Sequence, residues 1–127
     1  MARIGRLRVL LTGSANWRDA SVVRQVLCEV IEAYGTDVLL VHGDRAIGAE
    51  RIARELWRDW GLADEPHAAP ADLGPLGERW TAAAMVAAGA ELCVAFLPLR
   101  DTESATALCV AFAELAGIPV IRVRDPA

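Results

Sequence analysis

Val9-Leu10-Leu11-Thr12-Gly13-Ser14-Ala15-Asn16-Trp17 is the stretch whose reading decides the fold. Its continuous aliphatic run suits a strand buried on both faces, and the run breaks at Thr12-Gly13-Ser14 before a helical pattern begins. In a parallel α/β sheet such a break often holds a phosphate, because freed backbone N–H groups and a helix N-terminus face the anion. The other reading is a plain strand-to-helix turn, in which Gly13 supplies a tight backbone and Ser14 a cap.

The same alternation repeats along the chain. From Ser21 to Tyr34 the residues Val22, Val23, Val26, Leu27, Val30 and Ile31 recur at spacings of three and four, and Gly35 stands where a C-terminal cap belongs. Val38-Leu39-Leu40-Val41 reads as a second buried strand, ending at His42-Gly43-Asp44. A helix follows from about Gly48 to Trp60, with Gly61 after it. Residues 62 to 78 carry Pro66, Pro70, Gly74, Pro75 and Gly77 and read mainly as a loop, with room for a short strand near His67-Ala68. An Ala-rich helix from about Glu78 to Ala88 precedes the strand Leu92-Cys93-Val94-Ala95-Phe96. A helix over roughly residues 103 to 116, closed by Gly117, leads to the last strand, Ile118 to Val123. Strands alternating with helices predict right-handed crossovers and an α/β fold: one Rossmann-like domain over 1–127, with about five mostly parallel strands and helices on both faces.

Composition narrows the partners. The chain has 127 residues, 54% of them hydrophobic, and a net charge of -4, which fits one compact domain with a real core. All 13 basic residues are Arg, but they are scattered and outnumbered by 17 acids, so no basic stripe exists to follow a nucleic-acid backbone. The apolar run after the basic N-terminus is too short for a signal peptide or a membrane span. Cys28, Cys93 and Cys109 sit in apolar periodic segments without C-x-x-C spacing and read as core thiols of a cytoplasmic protein. His42 and His67 lie far from them, which supports no metal site. His42, at a strand end, reads as a hydrogen-bonded structural residue, and His67 has no acid or thiol signal beside it.

Thr12-Gly13-Ser14, His42-Gly43-Asp44 and the segment from Leu97 to Thr106 all follow carboxyl ends of strands. In an open parallel sheet those ends share one edge, where ligands bind. The ordered set Thr12-Gly13-Ser14-x-x-Trp17-x-Asp19, Val41-His42-Gly43-Asp44-x-x-x-Gly48-Ala49-Glu50-x-Ile52-Ala53, Gly74-Pro75, Met85-Val86 and Ala116-Gly117-Ile118-Pro119-Val120 resembles the YspA/YpsA-related branch of the SLOG superfamily. That resemblance implies a modified Rossmann fold, related to LOG-type nucleotide hydrolases and to the Rossmann domain of the DNA-processing protein A group. It also implies a nucleotide or nucleotide-derived ligand, with no further cofactor. Carried over by position, Thr12, Gly13 and Ser14 would wrap a phosphate or ribose, and Gly43 and Asp44 would line the adjacent loop. Gly48 and Ala49 would lead to Glu50, which stands where the family has Asp and would reach a ribose hydroxyl; its other reading is a first-turn acid favoured by the helix dipole. Trp17 would cover a base or pack as a core residue. Asp19 reads as a helix cap.

Departures from the family bear on catalysis. Its Arg after the first Gly-Ser is Ala15 here, and its Arg-Asn pair before Met-Val is Thr81-Ala82, with Arg79 a candidate replacement from a shifted place. The Ser-x-Gly-Thr phosphate loop becomes Glu103-Ser104-Ala105-Thr106. Ser104 and Thr106 remain as ligand candidates, while Ala105 adds a Cβ and Glu103 a repelling charge. Where LOG-type hydrolases carry a glutamate, Thr106 is followed by Ala107, Leu108 and Cys109. Glu50 and Asp44 are then the leading catalytic candidates, followed by Asp101 and Glu103. The readings are a sensor or accessory protein binding a nucleotide, a nucleotide N-glycosidic bond hydrolase, and a degenerate pocket serving protein interaction. Trp57, Trp60 and Trp80 on the helices favour a homo-oligomer.

Overall fold

The computed structural model describes residues 6–98 and 104–125. The elements in chain order are β1 (Leu7–Gly13), α1 (Ala20–Tyr34), β2 (Val38–His42), α2 (Gly48–Asp59), β3 (Asp64–Pro66), a 3-10 turn (Ala71–Leu73), α3 (Pro75–Ala87), β4 (Leu92–Leu97), α4 (Ser104–Leu115) and β5 (Val120–Arg124). All strand pairs are parallel, in the order β3-β2-β1-β4-β5. The Rossmann-like α/β sheet expected from the alternation is therefore present. From β1 the chain steps outward through β2 and β3, then returns to the other side of β1. This reversal between β1 and β4 is where an open sheet leaves a crevice.

Alternation along β1 sorts the core into two layers. Val9 and Leu11 face one side with Val23 and Leu27 of α1 and Ala53 and Trp57 of α2. Leu10 faces the other with Met85 and Val86 of α3 and Cys109 and Ala113 of α4. Trp57 is fully buried and its indole N–H donates to the Ala63 carbonyl at 2.8 Å, which satisfies the one polar atom of the largest core side chain.

The boundaries differ from the sequence expectation where polar pairing or proline decides them. The short strand lies at Asp64–Pro66, just before His67-Ala68. Arg8 of β1 forks onto Glu65 at 3.1 and 2.6 Å, and Arg58 of α2 contacts Asp64 at 2.7 Å, so ion pairs hold β3 on the sheet edge. Pro66 is tolerated there because an edge strand can lose a donor. Helix α3 begins at Pro75 rather than near Glu78, since proline suits a first helical position. β5 starts at Val120, after Pro119, whose carbonyl accepts from the Cys93 N–H at 2.8 Å. Cys93 and Cys109 are buried as expected, but Cys28 is exposed on the outer face of α1 and is not a core thiol. No helix among the described residues is long and apolar enough to cross a membrane.

One close approach sets the geometry of the sheet's carboxyl edge. A Cβ on Gly13 would lie 2.6 Å from Cβ of Ala49 and 2.9 Å from Cβ of Phe96. Gly13→Ala should therefore cost about 1–3 kcal/mol through overpacking, read as a lowered midpoint in urea denaturation. A variant as stable as the parent would show that the turn has slack.

Candidate functional site

The Thr12-Gly13-Ser14 turn spends its polar groups on the fold. The Ser14 N–H donates to Phe96 O at 2.8 Å, and the Ser14 carbonyl accepts from Ala49 N–H at 3.1 Å and Trp17 N–H at 3.3 Å. The Ser14 hydroxyl oxygen accepts from Asn16 N–H at 3.1 Å. The Ser14 amide is thus bound within the fold rather than turned toward an anion. Helix α1 starts beyond the turn and is capped by Asp19, whose Oδ1 accepts from Ser21 and Val22 N–H at 3.1 and 3.3 Å. It is α2 that abuts the turn. Gly48, at φ +80°, permits this, because a Cβ there would stand 2.3 Å from Ser14 O.

A cavity of about 370 Å³ opens beside that junction. Thr12, Gly43, Asp44, Arg45 and Glu50 line it from β1, the loop after β2 and the start of α2. Glu78, Thr81, Met85, Ala105 and Cys109 close it from α3 and α4. Glu50 is 4% exposed, and its Oε1 accepts from the Gly43 N–H at 2.6 Å. Glu50 stands in the first turn of α2, as its helix-dipole reading has it, and it also ties down the loop after β2 and lines the cavity. Arg45 donates to Gly13 O at 3.1 Å, with Glu50 at 3.8 Å and Glu78 at 3.6 Å. Sequence reasoning missed Arg45 because it falls in the unspecified spacer between Asp44 and Gly48. Its one available signal was an arginine in a loop next to the lost arginine position at Ala15, and Ala15 lines the same cavity. Arg79 is exposed and does not line it.

The remaining sequence candidates fall elsewhere. Gly13 sits behind the cavity wall, and Ser14 and Ala49 are buried in the junction. Trp17 is 2% exposed and packs edge-on against Phe96, with ring centroids 5.3 Å apart; its indole N–H donates to Asp19 O at 2.9 Å. Its core reading holds. Thr106 is fully buried, and among the described residues its hydroxyl has no hydrogen-bond partner. Asp101, Glu103 and the side chain of Ser104 lie outside the described residues. A second hollow, of about 480 Å³, is lined by Trp17, Arg18, Gly48 and Arg51 and shares Ala15 and Ile47 with the cavity. Among the described residues no group of His, Cys, Asp and Glu could hold a metal ion.

The loop that carries Asp44 and Arg45 is over-determined. Asp44 adopts φ 53°, a left-handed conformation costly for a residue with a Cβ. Its N–H donates to His42 Nδ1 at 3.0 Å, and its carboxylate receives Arg54 at 2.9 Å. Arg54 also donates to the Arg45 carbonyl at 2.9 Å. Because Nδ1 of His42 is an acceptor, its proton is on Nε2, which donates to Asp64 Oδ2 at 2.7 Å. Burial pushes the His42 pKa below its ordinary value despite Asp64. Hydrogen bonding to Arg58 holds Asp64 below the usual carboxylate range. Glu65, bound by Arg8 and then by His67 at 2.7 Å, is lowered to about 2. The acid expected to be missing beside His67 is this Glu65.

The family model for the YspA, cpYpsA-related SLOG family matches residues 7–69. The gene 61 protein of Mycobacterium phage D29 is 35% identical over 126 residues, covering 93% of this chain and 97% of that protein. The chain belongs to the YspA, cpYpsA-related SLOG family. Among solved structures, the Moco carrier protein from Chlamydomonas reinhardtii is similar in fold, with a TM-score of 0.59 and 16% identity over 95% of this chain and 78% of that one.

The network makes stability acid-sensitive in two ranges. His42 has a lowered pKa in the folded state, so its contribution is complete above its ordinary value and is lost as pH falls below it. Asp64 and Glu65 are likewise lowered, so their contribution is present above the carboxylate range and is lost as pH falls toward about 2. Urea denaturation should show stability falling as the pH drops below about 6.5, and again below about pH 4.5. His42→Gln should flatten the upper step and, because Asp64 loses its His42 partner, lessen the lower one. Unchanged stability of the parent across the upper range would rule out the buried neutral histidine.

Proposed function

We propose that the chain binds a nucleotide or nucleotide-derived small molecule in the cavity at the carboxyl ends of β1 and β2, as a sensor or accessory protein. The supporting observation is the cavity itself. It lies at the carboxyl end of β1, the strand beside which the order reverses, has the volume of a small-molecule pocket, and joins Thr12, Gly43, Asp44 and Glu50 from separate segments. Family membership and the carrier named among the similar folds are in keeping with a binding role. Glu50, the one nearly buried carboxylate of the cavity, has an oxygen committed to Gly43. That commitment favours binding over turnover.

Glu50 also supports the second reading, hydrolysis of a nucleotide N-glycosidic bond, because a buried carboxylate facing a cavity is placed to orient a ribose hydroxyl or a water. Asp44 is less suited, being engaged by Arg54. Release of free base from nucleoside monophosphates, abolished by Glu50→Gln, would establish this reading. Self-association is a further proposal: Leu76 at 62% and Trp80 at 69% exposure stand together on α3, whereas Trp57 is core and has no part in it.

A thermal-shift screen with nucleosides, nucleotides and dinucleotides tests the binding proposal. A cognate ligand at about a hundred times its Kd should add roughly 2.7 kcal/mol of stability. A flat response across the panel would overturn it.

A further inference from the structure

Two hollows of opposite lining charge meet at Ala15 and Ile47. The cavity presents the carboxylates of Asp44, Glu50 and Glu78 against the guanidinium of Arg45, and Arg45 is already faced by Glu50 at 3.8 Å and Glu78 at 3.6 Å. Among the described residues, a phosphate placed there would meet more like charge than unlike, which is expensive in a partly dry site. The neighbouring hollow has the reverse character. Arg18 and Arg51 line it, and among the described residues no carboxylate does. Arg51 contacts Glu55 at 3.7 Å, but both side chains are about half exposed, so the pair is weak and a phosphate offering paired acceptors displaces Glu55 readily. The rim between the hollows is formed by Ala15 and Ile47, which line both.

We propose that the hollow lined by Arg18 and Arg51 is the anion subsite of the cleft. The ligand then lies across the Ala15–Ile47 rim, with its uncharged, donor-bearing part in the acidic cavity and its phosphate against the two arginines. Hydroxyl and amino groups suit the carboxylates of the cavity, and the guanidiniums suit the phosphate. The ligand class is a phosphate ester of a polyhydroxylated or amino-bearing group, with a nucleoside 5′-phosphate as the representative. The assignment of a nucleoside rests on the reading under Proposed function; the placement of the anion does not.

The test compares nucleosides, their 5′-monophosphates and inorganic phosphate on the parent, Arg18→Gln, Arg51→Gln and the double variant, by titration calorimetry at low salt. These are surface side chains, and unchanged thermal unfolding without ligand confirms the fold of each variant. The expected result is tighter binding of a monophosphate than of its nucleoside, with the double variant losing about tenfold or more for the monophosphate and no more than about twofold for the nucleoside. Equal loss for both, or no loss for the monophosphate, overturns the anion subsite while leaving nucleoside binding intact. If no nucleoside or monophosphate binds but inorganic phosphate does so in an Arg18- and Arg51-dependent manner, the nucleotide reading fails and the subsite stands. If phosphate binding is also absent or independent of the two arginines, the subsite is overturned as well.

Discussion

The contact between the turn after β1 and the first turn of α2 is the constraint on which the rest of the site depends. Gly13 and Gly48 let two backbones approach to a separation that no side chain could share, and the Ser14 carbonyl, accepting from Ala49 N–H, fixes the register of that approach. Because the Ser14 N–H also bonds to Phe96, the same residue joins β1, β4 and α2. Once α2 is seated, Glu50 is set on the cavity wall within reach of the Gly43 amide. The motif glycines serve this packing first. Access for a ligand follows from what they seat.

Charge is distributed around that junction in a specific way. A buried carboxylate is tolerable only when it is well bonded, and Glu50 meets that condition through Gly43 and the nearby guanidinium of Arg45. The loop between them would not adopt a left-handed aspartate unaided. His42 from below and Arg54 from α2 hold it. The polar residues that line the cleft are therefore held by ones that do not, His42 and Arg54, in a frame extending back to the sheet edge at Asp64.

Periodicity made the layers legible: each strand and helix expected from apolar spacing exists, and the breaks at Thr12-Gly13-Ser14 and His42-Gly43-Asp44 do mark the edge where the cavity opens. What the sequence hid was the use of backbone donors. Nothing in Thr12-Gly13-Ser14 discloses that the Ser14 amide is taken by a strand more than eighty residues later. Arginine was the other blind spot. Arg8 reads as an interruption of an apolar run, yet it is the anchor of β3, and Arg45 reads as spacer although it lines the cavity. Long flexible side chains choose partners across the fold, and local pattern carries no information about that choice. Trp17 illustrates the opposite case, where an aromatic beside a motif is explained by its neighbour Phe96 in the core.

The short β3 has the further property of being attached by charge more than by burial. None of its three residues is fully buried, and its hold on β2 is reinforced by Arg8, Arg58 and His42 from three different elements. Ion pairs at a partly wet edge are screened by salt, whereas the apolar layers are not. Weakening those ion pairs therefore loosens this edge while leaving the apolar layers of the central strands in place. His42 binds Asp64 of β3 through Nε2 and the Asp44 amide through Nδ1, so the edge strand and the cleft loop share one anchor although they are not adjacent in sequence.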